Sequence, residues 1–338
     1  MDRRTFIGSL AATAAGVGLS VGFQSKAKAQ KSLGKLTVIT ATAPPDPMCH
    51  YFFYARELGY YKEAGLEVDI KPVNSDPTAV RAVVAGEGDI GWAGATSFLQ
   101  ATKAGSKIKI LSCFSPKLDY LMVCNKKFAD LKSLASGAIA VSQVGAVSQQ
   151  VPKLMIELAG ADVSKVRWLS VGGSSSRVQA LIAKRVDAAA LNSPFAARAV
   201  KYDYLHVVGD AVKDLPNLIY SLDIVSEAAL RNKREALLPF TIANARAVRW
   251  AMSNPDKAEA LSRKILPNSP AEDIHIAAQS IATKKLFDPT GRLAHEAWEF
   301  TVNQSVKGGD IDKPVPYADA VVTEFVDAEE KALGPYKG

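Results

Sequence analysis

Two stretches of the chain resemble cofactor or catalytic sites, and neither has the context that its chemistry needs. Residues 86–91 spell the G-x-G-x-x-G pattern of dinucleotide sites. That pattern works where it follows a strand and opens a helix, because the helix N-terminus then meets the pyrophosphate. Here it closes a predicted helix and enters a predicted strand, so no dinucleotide site is expected. The serines at 174–176 lack a neighbouring His or Lys that could activate a nucleophile, and indicate a helix cap.

The histidines do not form a metal site. They are far apart in the chain, with no H-x-x-x-H or Cys/His pair: His50, His206, His275 and His295. The chain also contains no G-x-S-x-G elbow and no Walker loop. The sequence therefore predicts no catalytic residue, no metal and no cofactor.

An internal repeat indicates two similar lobes. Residues 80–89 recur without a gap as residues 178–187, an offset of 98 positions. Upstream of each copy lies a β-like run, at 68–73 and 166–171. Both copies are typical of a strand, a small polar turn, a helix, an Asp and another strand. Two lobes in one chain predict a cleft between them in which a small ligand is enclosed.

The order of the predicted elements indicates the fold class and the lobe boundaries. Strands alternate with helices in both copies, which predicts an α/β fold with mainly parallel sheets. Two extended apolar runs, 120–124 and 219–225, are interpreted as antiparallel crossing segments that form a two-strand hinge. We therefore expect lobe one at 30–126 and 220–338, including helices at the C-terminus, and lobe two at 127–219.

The predicted ligand site lies in the loops at the carboxyl ends of the strands, where parallel α/β sheets bind their ligands. Several of these loops lead directly into helices, whose free N–H groups and positive dipole end favour an anion without Arg or Lys. Two such helix ends, at Thr96 and Ser148, are expected to face each other across the closed cleft. The predicted ligand-binding residues are Pro44, Asp46, His50, Trp92, Gly94, Ala95, Thr96, Ser115, Ser142, Gly145, Val147, Ser148, Asn192, Pro194 and Tyr220.

Residues 1–29 have the features of a cleaved export signal. A basic start with Arg3-Arg4 precedes an apolar run and the small-x-small sequence Ala27-Lys28-Ala29. The paired arginines are typical of the twin-arginine type, with the ordinary secretory route as the alternative. Cleavage near Ala29 removes four basic residues and one acidic residue, and lowers the formal net charge from +7 to +4. Because the chain has no Lys/Arg block, it is not expected to bind nucleic acid.

The cysteines are not expected to form disulfides. Cys49, Cys113 and Cys124 are odd in number, and they are too few and too scattered for a disulfide framework. Free cysteines usually behave as small buried apolar residues. We predict three buried free thiols.

Several segments resemble the nitrate/sulfonate/taurine group of ABC-transporter substrate-binding proteins and the related binders of thiamine-pyrimidine precursors. Residues 55–68, ARELGYYKEAGLEV, are similar to that group's A-x-E-x-G-[FY]-[FY]-K-E-x-G-L-x-V segment. Residues 86–91 resemble its G-x-x-D-I-G, residues 130–134 its D-L-K-G-K, and residues 177–189 its second L-x-x-G-x-V-D-A. The similarity extends from about residue 35 to 250, with Arg185 in place of the second-lobe Gly.

This resemblance implies a type II periplasmic-binding-protein fold and a transport role. The protein would capture a small, anionic organic solute in the cleft, sulfonate- or taurine-like, nitrate-like or an aromatic carboxylate. It would then deliver the solute to a membrane permease with an ATPase. We expect a periplasmic monomer that needs no cofactor and catalyses nothing.

Two other functions remain open at this point. Pyrimidine-synthesising relatives share this fold and use a histidine and a cysteine-rich motif, and Cys49-His50 lies in the first predicted binding loop. However, the chain has no cysteine cluster, and export does not suit biosynthesis. The second alternative is a periplasmic ligand-sensing module that contacts a receptor in place of a permease.

Overall fold

Ten β-strands form two five-stranded sheets in the computed structural model of this chain, which describes residues 32–337. The predicted export signal at residues 1–29 lies outside the described residues. Between residues 32 and 337, no helix combines the length and the apolar character needed to cross a bilayer.

The first sheet consists of β1 (Gly34–Thr40), β2 (Leu66–Pro72), β3 (Ile90–Gly94), β4 (Ile108–Ser112) and β10 (Ser221–Ser226). Its strand order is β2-β1-β3-β10-β4. β1 is parallel to β2 and β3, whereas β10 is antiparallel to β3 and β4. Every residue of β3 is buried, as is typical of a strand in a parallel sheet that is covered on both faces.

The second sheet consists of β5 (Tyr120–Asn125), β6 (Ala138–Val141), β7 (Arg167–Ser170), β8 (Ala188–Asn192) and β9 (Leu205–Asp210). Its strand order is β7-β6-β8-β5-β9. β6 is parallel to β7 and β8, whereas β5 is antiparallel to β8 and β9. Both sheets therefore have the same arrangement, with one antiparallel strand inserted next to the edge.

Helices cover the sheets and make up most of the chain after β10. Those before β10 are α1 (His50–Glu57), α2 (Tyr60–Glu63), α3 (Asp76–Val84), α4 (Ala95–Lys103), α5 (Val147–Leu158), α6 (Ser174–Ile182), α7 (Ser193–Ala199) and α8 (Ala211–Asp214). Those after it are α9 (Glu227–Asn232), α10 (Arg234–Ser253), α11 (Pro255–Ile265), α12 (Ala271–Thr283), α13 (His295–Lys307), α14 (Tyr317–Ala320) and α15 (Glu324–Leu333). Short 3-10 helices lie at Pro47–Cys49, Ser133–Ser136 and Val163–Lys165.

The internal repeat is visible in the structure. α3 and α6 begin and end 98 residues apart, and so do β3 and β8. The Asp89 carboxylate accepts a hydrogen bond from the Thr37 N–H at 2.8 Å, and the Asp187 carboxylate accepts one from the Ala138 N–H at 2.9 Å. Each aspartate thus ties the turn after its helix to the first strand of its own lobe. Residues 86–91 form a helix-to-strand turn, which is not the context of a dinucleotide site.

The two runs predicted as crossing segments are mainly strands of the sheets. Residues 120–124 belong to β5, which pairs with β8 and β9 in the second sheet. Most of residues 219–225 belong to β10, in the first sheet. By sheet membership, the chain crosses to the second sheet between residues 112 and 120 and returns between 210 and 221. The exact lobe boundaries at 126/127 and 219/220 stay predictions.

The two connections between the sheets are hydrogen-bonded to each other. The Tyr220 N–H donates to the Pro116 carbonyl at 2.7 Å. The hydroxyl oxygens of Ser115 and Ser221 lie 2.6 Å apart, and the Ser221 hydroxyl also lies 3.0 Å from the Ser115 carbonyl. A pair of short, mutually bonded connections is the arrangement of a hinge between lobes.

The three cysteines are completely buried. The sulfur atoms of Cys49, Cys113 and Cys124 lie 3.0, 3.2 and 3.7 Å from backbone carbonyls, and none is in a disulfide. Burial raises the pKa of each thiol above its ordinary value. The cysteines therefore pack as neutral small side chains in the interior.

Candidate functional site

The carboxyl ends of four strands meet in the space between the sheets. The loop after β1 is joined to the end of β8 by a hydrogen bond of 3.3 Å from Asn192 Nδ2 to Asp46 Oδ2. The end of β3 lies against the start of α5, where a Cβ on Gly94 would come within 2.0 Å of Val147 Cγ2. Only glycine allows this approach of the two lobes. The strand ends thus form one continuous site, which we call the cleft.

Asp46 is the buried acid of the cleft. Its carboxylate accepts hydrogen bonds from the Met48 N–H at 2.8 Å and from the Tyr220 hydroxyl at 3.2 Å, in addition to Asn192. Burial raises the pKa of Asp46 to about 6, because the charged form loses its hydration, and the charge of Asp119 acts in the same direction. Asp46 is therefore a strong hydrogen-bond acceptor whose charge depends on pH near neutrality.

Aromatic rings line the cleft beside Asp46. The Tyr220 ring makes edge contacts with Trp92 at 5.6 Å and with Tyr120 at 5.8 Å between ring centroids. Trp92 is held in place by a hydrogen bond of 3.1 Å from its indole N–H to the Ser115 hydroxyl. Amphipathic aromatic walls of this kind pack against flat organic ligands and exclude water.

Arg177 is the buried cation of the cleft. Only 2% of it is exposed, its guanidinium carbon lies 5.6 Å from the centre of the Tyr120 ring, and its Nη2 donates to the Ser174 hydroxyl at 2.8 Å. Between residues 32 and 337 it forms no salt bridge, and its buried Nε has no hydrogen-bond partner. A buried charge is costly unless it is paired, so this donor is available to an acceptor that the chain does not supply.

Asp76 lies between the N-termini of α4 and α5, where the sequence predicts the anion of the solute. Its Oδ1 accepts from the Gly94 N–H at 2.8 Å, and its Oδ2 accepts from the Val147 N–H at 3.4 Å. Burial raises the pKa of Asp76, while these N–H groups and the charge of Arg177 act in the opposite direction. In this structure a carboxylate of the chain itself therefore occupies the two helix ends.

The remaining predicted residues of the second lobe build the loop that begins α5. The hydroxyl oxygens of Ser142 and Ser148 are 2.8 Å apart, and Ser148 Oγ also accepts from the Ser142 N–H. Gly145 has a φ of 83°, and its carbonyl lies 3.4 Å from the Ser97 hydroxyl of the other lobe. In the first lobe, Ala95 and Thr96 are buried in the first turn of α4.

Three predicted residues form no hydrogen bond or ring contact with Arg177 or Asp46. His50 is completely buried, and its Nδ1 lies 2.9 Å from the Ser262 hydroxyl of α11, because its position on α1 turns the ring toward the C-terminal helices. Pro44 is exposed. Pro194 borders a separate groove between α7 and α12.

Sequence reasoning did not select Arg177, Asp76 or Tyr120. The available signal for Arg177 was its position on α6, where it falls on the same buried stripe as Val178 and Leu181. An arginine on an apolar helix face needs a partner. No comparable local signal marks Asp76, because its partner Val147 is 71 residues away.

The Cys49-His50 pair lacks the properties of a catalytic dyad. Burial, reinforced by the nearby Asp46 charge, raises the pKa of Cys49 well above the usual value of a thiol, so the reactive thiolate is suppressed. Burial also lowers the pKa of His50 to about 3, and its Nδ1 is bound to Ser262. Among residues 32–337, no group of three or more His, Cys, Asp or Glu side chains is arranged to hold a metal ion.

Comparison with known proteins identifies the family. Residues 47–258 match the family model described as NMT1/THI5 like. The chain belongs to the NMT1/THI5-like family. A formylaminopyrimidine-binding protein from Halalkalibacterium halodurans is 25% identical over 305 residues, which cover 82% of this chain and 86% of that protein.

Solved structures show the same fold at low sequence identity. The periplasmic aliphatic sulphonate binding protein of Escherichia coli superposes with a TM-score of 0.67 at 15% identity, covering 85% of this chain and 92% of that one. The periplasmic nitrate-binding protein of Synechocystis PCC 6803 superposes with a TM-score of 0.69 at 12% identity, covering 89% of each chain. This family member therefore has the predicted type II periplasmic-binding-protein fold, and most of the related structures with a described role are binding proteins.

Proposed function

We propose that this protein is the extracytoplasmic solute-binding component of an ABC importer. It captures a small organic solute between its two lobes and delivers the solute to a membrane permease with an ATPase. The membership in a family with periplasmic solute binders supports this role, as does the cleft between two lobes on a short double connection.

The observation that carries the proposal is the buried guanidinium of Arg177, which forms no salt bridge among residues 32–337 and whose Nε has no hydrogen-bond partner there. A solute with a carboxylate or sulfonate group supplies the missing acceptor, and the charge-assisted hydrogen bonds compensate the desolvation of the arginine. We therefore still propose an anionic solute, as the sequence predicts. The positive group that binds it is the side chain of Arg177, because Asp76 already occupies the two helix ends.

The other groups of the cleft restrict the chemical class of the solute further. Asp46 accepts a hydrogen bond, so it suits an N–H or O–H group of the solute. The rings of Trp92, Tyr120 and Tyr220 suit a flat body. We infer a planar or short organic anion with a hydrogen-bond donor, such as an aromatic carboxylate or a sulfonate that carries an amino group.

We further propose that the protein is not an enzyme and works as a periplasmic monomer. The protonated state of the Cys49 thiol and the low basicity of His50 support the absence of nucleophilic catalysis. The mature chain is proposed to begin near Gln30, after the predicted signal. The role of a sensor in place of a transport component is tested by the genes beside this one, because an importer requires a permease and an ATPase.

A ligand screen tests the proposal. The mature protein is unfolded, dialysed to strip any co-purified solute and refolded, and its melting temperature is then measured with sulfonates, nitrate, aromatic carboxylates and pyrimidines. We expect stabilisation by an organic anion, because a ligand that binds only the folded state raises the melting temperature. If the best ligand is neutral or cationic, the proposed class of solute is wrong.

A further inference from the structure

A second cavity lies within lobe one, apart from the cleft. It has a volume of about 440 Å³ and is lined by residues of α1, the end of α10, α11 and α12, and by Pro47, which follows Asp46. This volume is in the range of pockets that hold small organic molecules. None of the cleft residues Asp46, Arg177 and Tyr220 lines it.

Helix α12 forms the wall between this cavity and lobe two. Its residues Ile274, Ala277 and Ile281 line the cavity. On a neighbouring face of the same helix, Asp273 pairs with Arg198 of lobe two. The helix is thus held in place from outside the cavity.

The inner surface of the cavity has a polar spot formed by hydroxyl groups. The hydroxyls of Tyr54 and Ser262, which both line the cavity, lie 2.6 Å apart, and Ser262 Oγ also lies 2.9 Å from His50 Nδ1. Burial raises the pKa of Tyr54 and lowers the pKa of His50 to about 3, so both groups are neutral at pH 7. His50 Nε2 is buried without a hydrogen-bond partner among the described residues. The spot therefore offers neutral hydroxyl groups to a ligand.

The charged residues of the lining do not favour an ion. Among the described residues that line the cavity they are one glutamate and one lysine, Glu259 and Lys285. Glu259 already pairs with Arg263 at 2.6 Å and with His275 at 2.9 Å. Lys285 is exposed, so its charge stays in water. An ion that entered this apolar space would lose its hydration without a buried counter-charge.

We propose that this cavity is a second binding site, for a neutral and mainly apolar small molecule that carries one hydroxyl or carbonyl group. The apolar body packs against the alanine and isoleucine side chains of α12 and against Phe287. The single polar group exchanges hydrogen bonds with Tyr54 and Ser262. The site is independent of the solute in the cleft.

Fluorescence titration with N-phenyl-1-naphthylamine, a neutral apolar dye, tests the site. We expect saturable binding of one dye per mature protein. Ala278→Trp fills the cavity from α12 and should weaken dye binding at least tenfold, and Ala282→Trp, at the exposed mouth, should weaken it as well. Gln279→Trp, on the exposed face of the same helix, is the matched control and should bind the dye normally.

The outcomes separate this site from the cleft. Arg177→Gln, which alters the cleft, should leave the dye affinity unchanged. Absence of saturable binding, or undiminished dye affinity in folded Ala278→Trp and Ala282→Trp, would overturn the proposal. Loss of dye binding in Arg177→Gln would place the dye in the cleft and also overturn it.

Displacement of the dye tests the chemical class. 1-Octanol and octanoate have the same chain length, and at pH 7 only octanoate is charged. We expect 1-octanol to displace the dye at a concentration at least tenfold lower than octanoate. Equal or better displacement by octanoate would contradict the neutral class of ligand.

Discussion

The Oδ2 atom of Asp76, in lobe one, lies 3.4 Å from the backbone nitrogen of Val147, in lobe two. The neighbouring Ser75 hydroxyl donates to Gln143 Oε1, also in lobe two, at 2.7 Å. The start of α3 is therefore bonded to the loop and helix start of the opposite lobe. These contacts stabilise a closed arrangement of the lobes.

Replacement of Asp76 should open the ligand-free protein. Asp76→Ala leaves the N–H groups of Gly94 and Val147 without their acceptor, and the free energy of unfolding should fall by about 1 to 3 kcal/mol. Small-angle X-ray scattering should show a larger radius of gyration than for the wild type. The control is Glu87→Ala, at an exposed position just after α3. An unchanged radius in Asp76→Ala would mean that other contacts hold the lobes together.

Arg177 should lower stability in the absence of solute. Because its guanidinium is buried and forms no salt bridge among residues 32–337, its replacement by an apolar residue of similar length removes a buried charge that is costly to desolvate. We expect Arg177→Met to raise the midpoint of urea unfolding of the solute-free protein. Arg185→Met, at an exposed site, should leave that midpoint nearly unchanged. A lower midpoint in Arg177→Met would show that the guanidinium is already well paired in the free protein.

The buried Asp46 carboxyl should make stability depend on pH. Between pH 3.8 and about 6 the unfolded chain releases this proton while the folded chain keeps it, so this group lowers stability as the pH rises through that window. Asp46→Asn does not titrate there. Its unfolding free energy relative to the wild type should therefore be higher at pH 7.5 than at pH 4 by about 2 kcal/mol. Denaturant unfolding at both pH values measures this, and an equal difference at both would show that Asp46 is not desolvated.

The sequence was sufficient for the fold because its signals are local and repeated. The internal repeat with its offset of 98 residues predicted two similar lobes. The structure confirms the repeat in the matching pairs α3 and α6, and β3 and β8. The motif at residues 55–68 led to the correct family. The exact lobe boundaries stay predictions, since the pattern of an extended run does not tell which sheet it joins.

The site was predicted less completely because side-chain pairing across the cleft is not local. Strand ends correctly indicated where the lobes meet, as the bond between Asp46 and Asn192 shows. The contact of Asp76 with Val147 depends on how the lobes close. His50 follows the predicted loop directly, yet helical geometry turns its ring toward Ser262. The positions of the strand ends in the sequence therefore indicate where the lobes meet, but they do not identify all the side chains that face the cleft.

The predicted export signal lies outside the described residues and is tested by mutation. Replacement of both Arg3 and Arg4 with Lys should retain the precursor inside the cell, because the twin-arginine route requires this pair. Fractionation and immunoblotting measure the periplasmic yield, and the unaltered precursor is the control. An unchanged yield would mean that another export route carries the protein.

Calorimetric titration of the refolded, solute-free protein with the best organic anion of the ligand screen tests the central claim most directly. Solute capture that permits release suggests a dissociation constant on the order of 1 μM for the wild type, or about 8 kcal/mol. Arg185→Gln should bind equally well. Arg177→Gln should bind at least about 30-fold more weakly, because it loses charge-assisted hydrogen bonds worth about 2 kcal/mol or more. Undiminished affinity in folded Arg177→Gln would contradict the assignment of this arginine, and of the cleft around it, as the solute site.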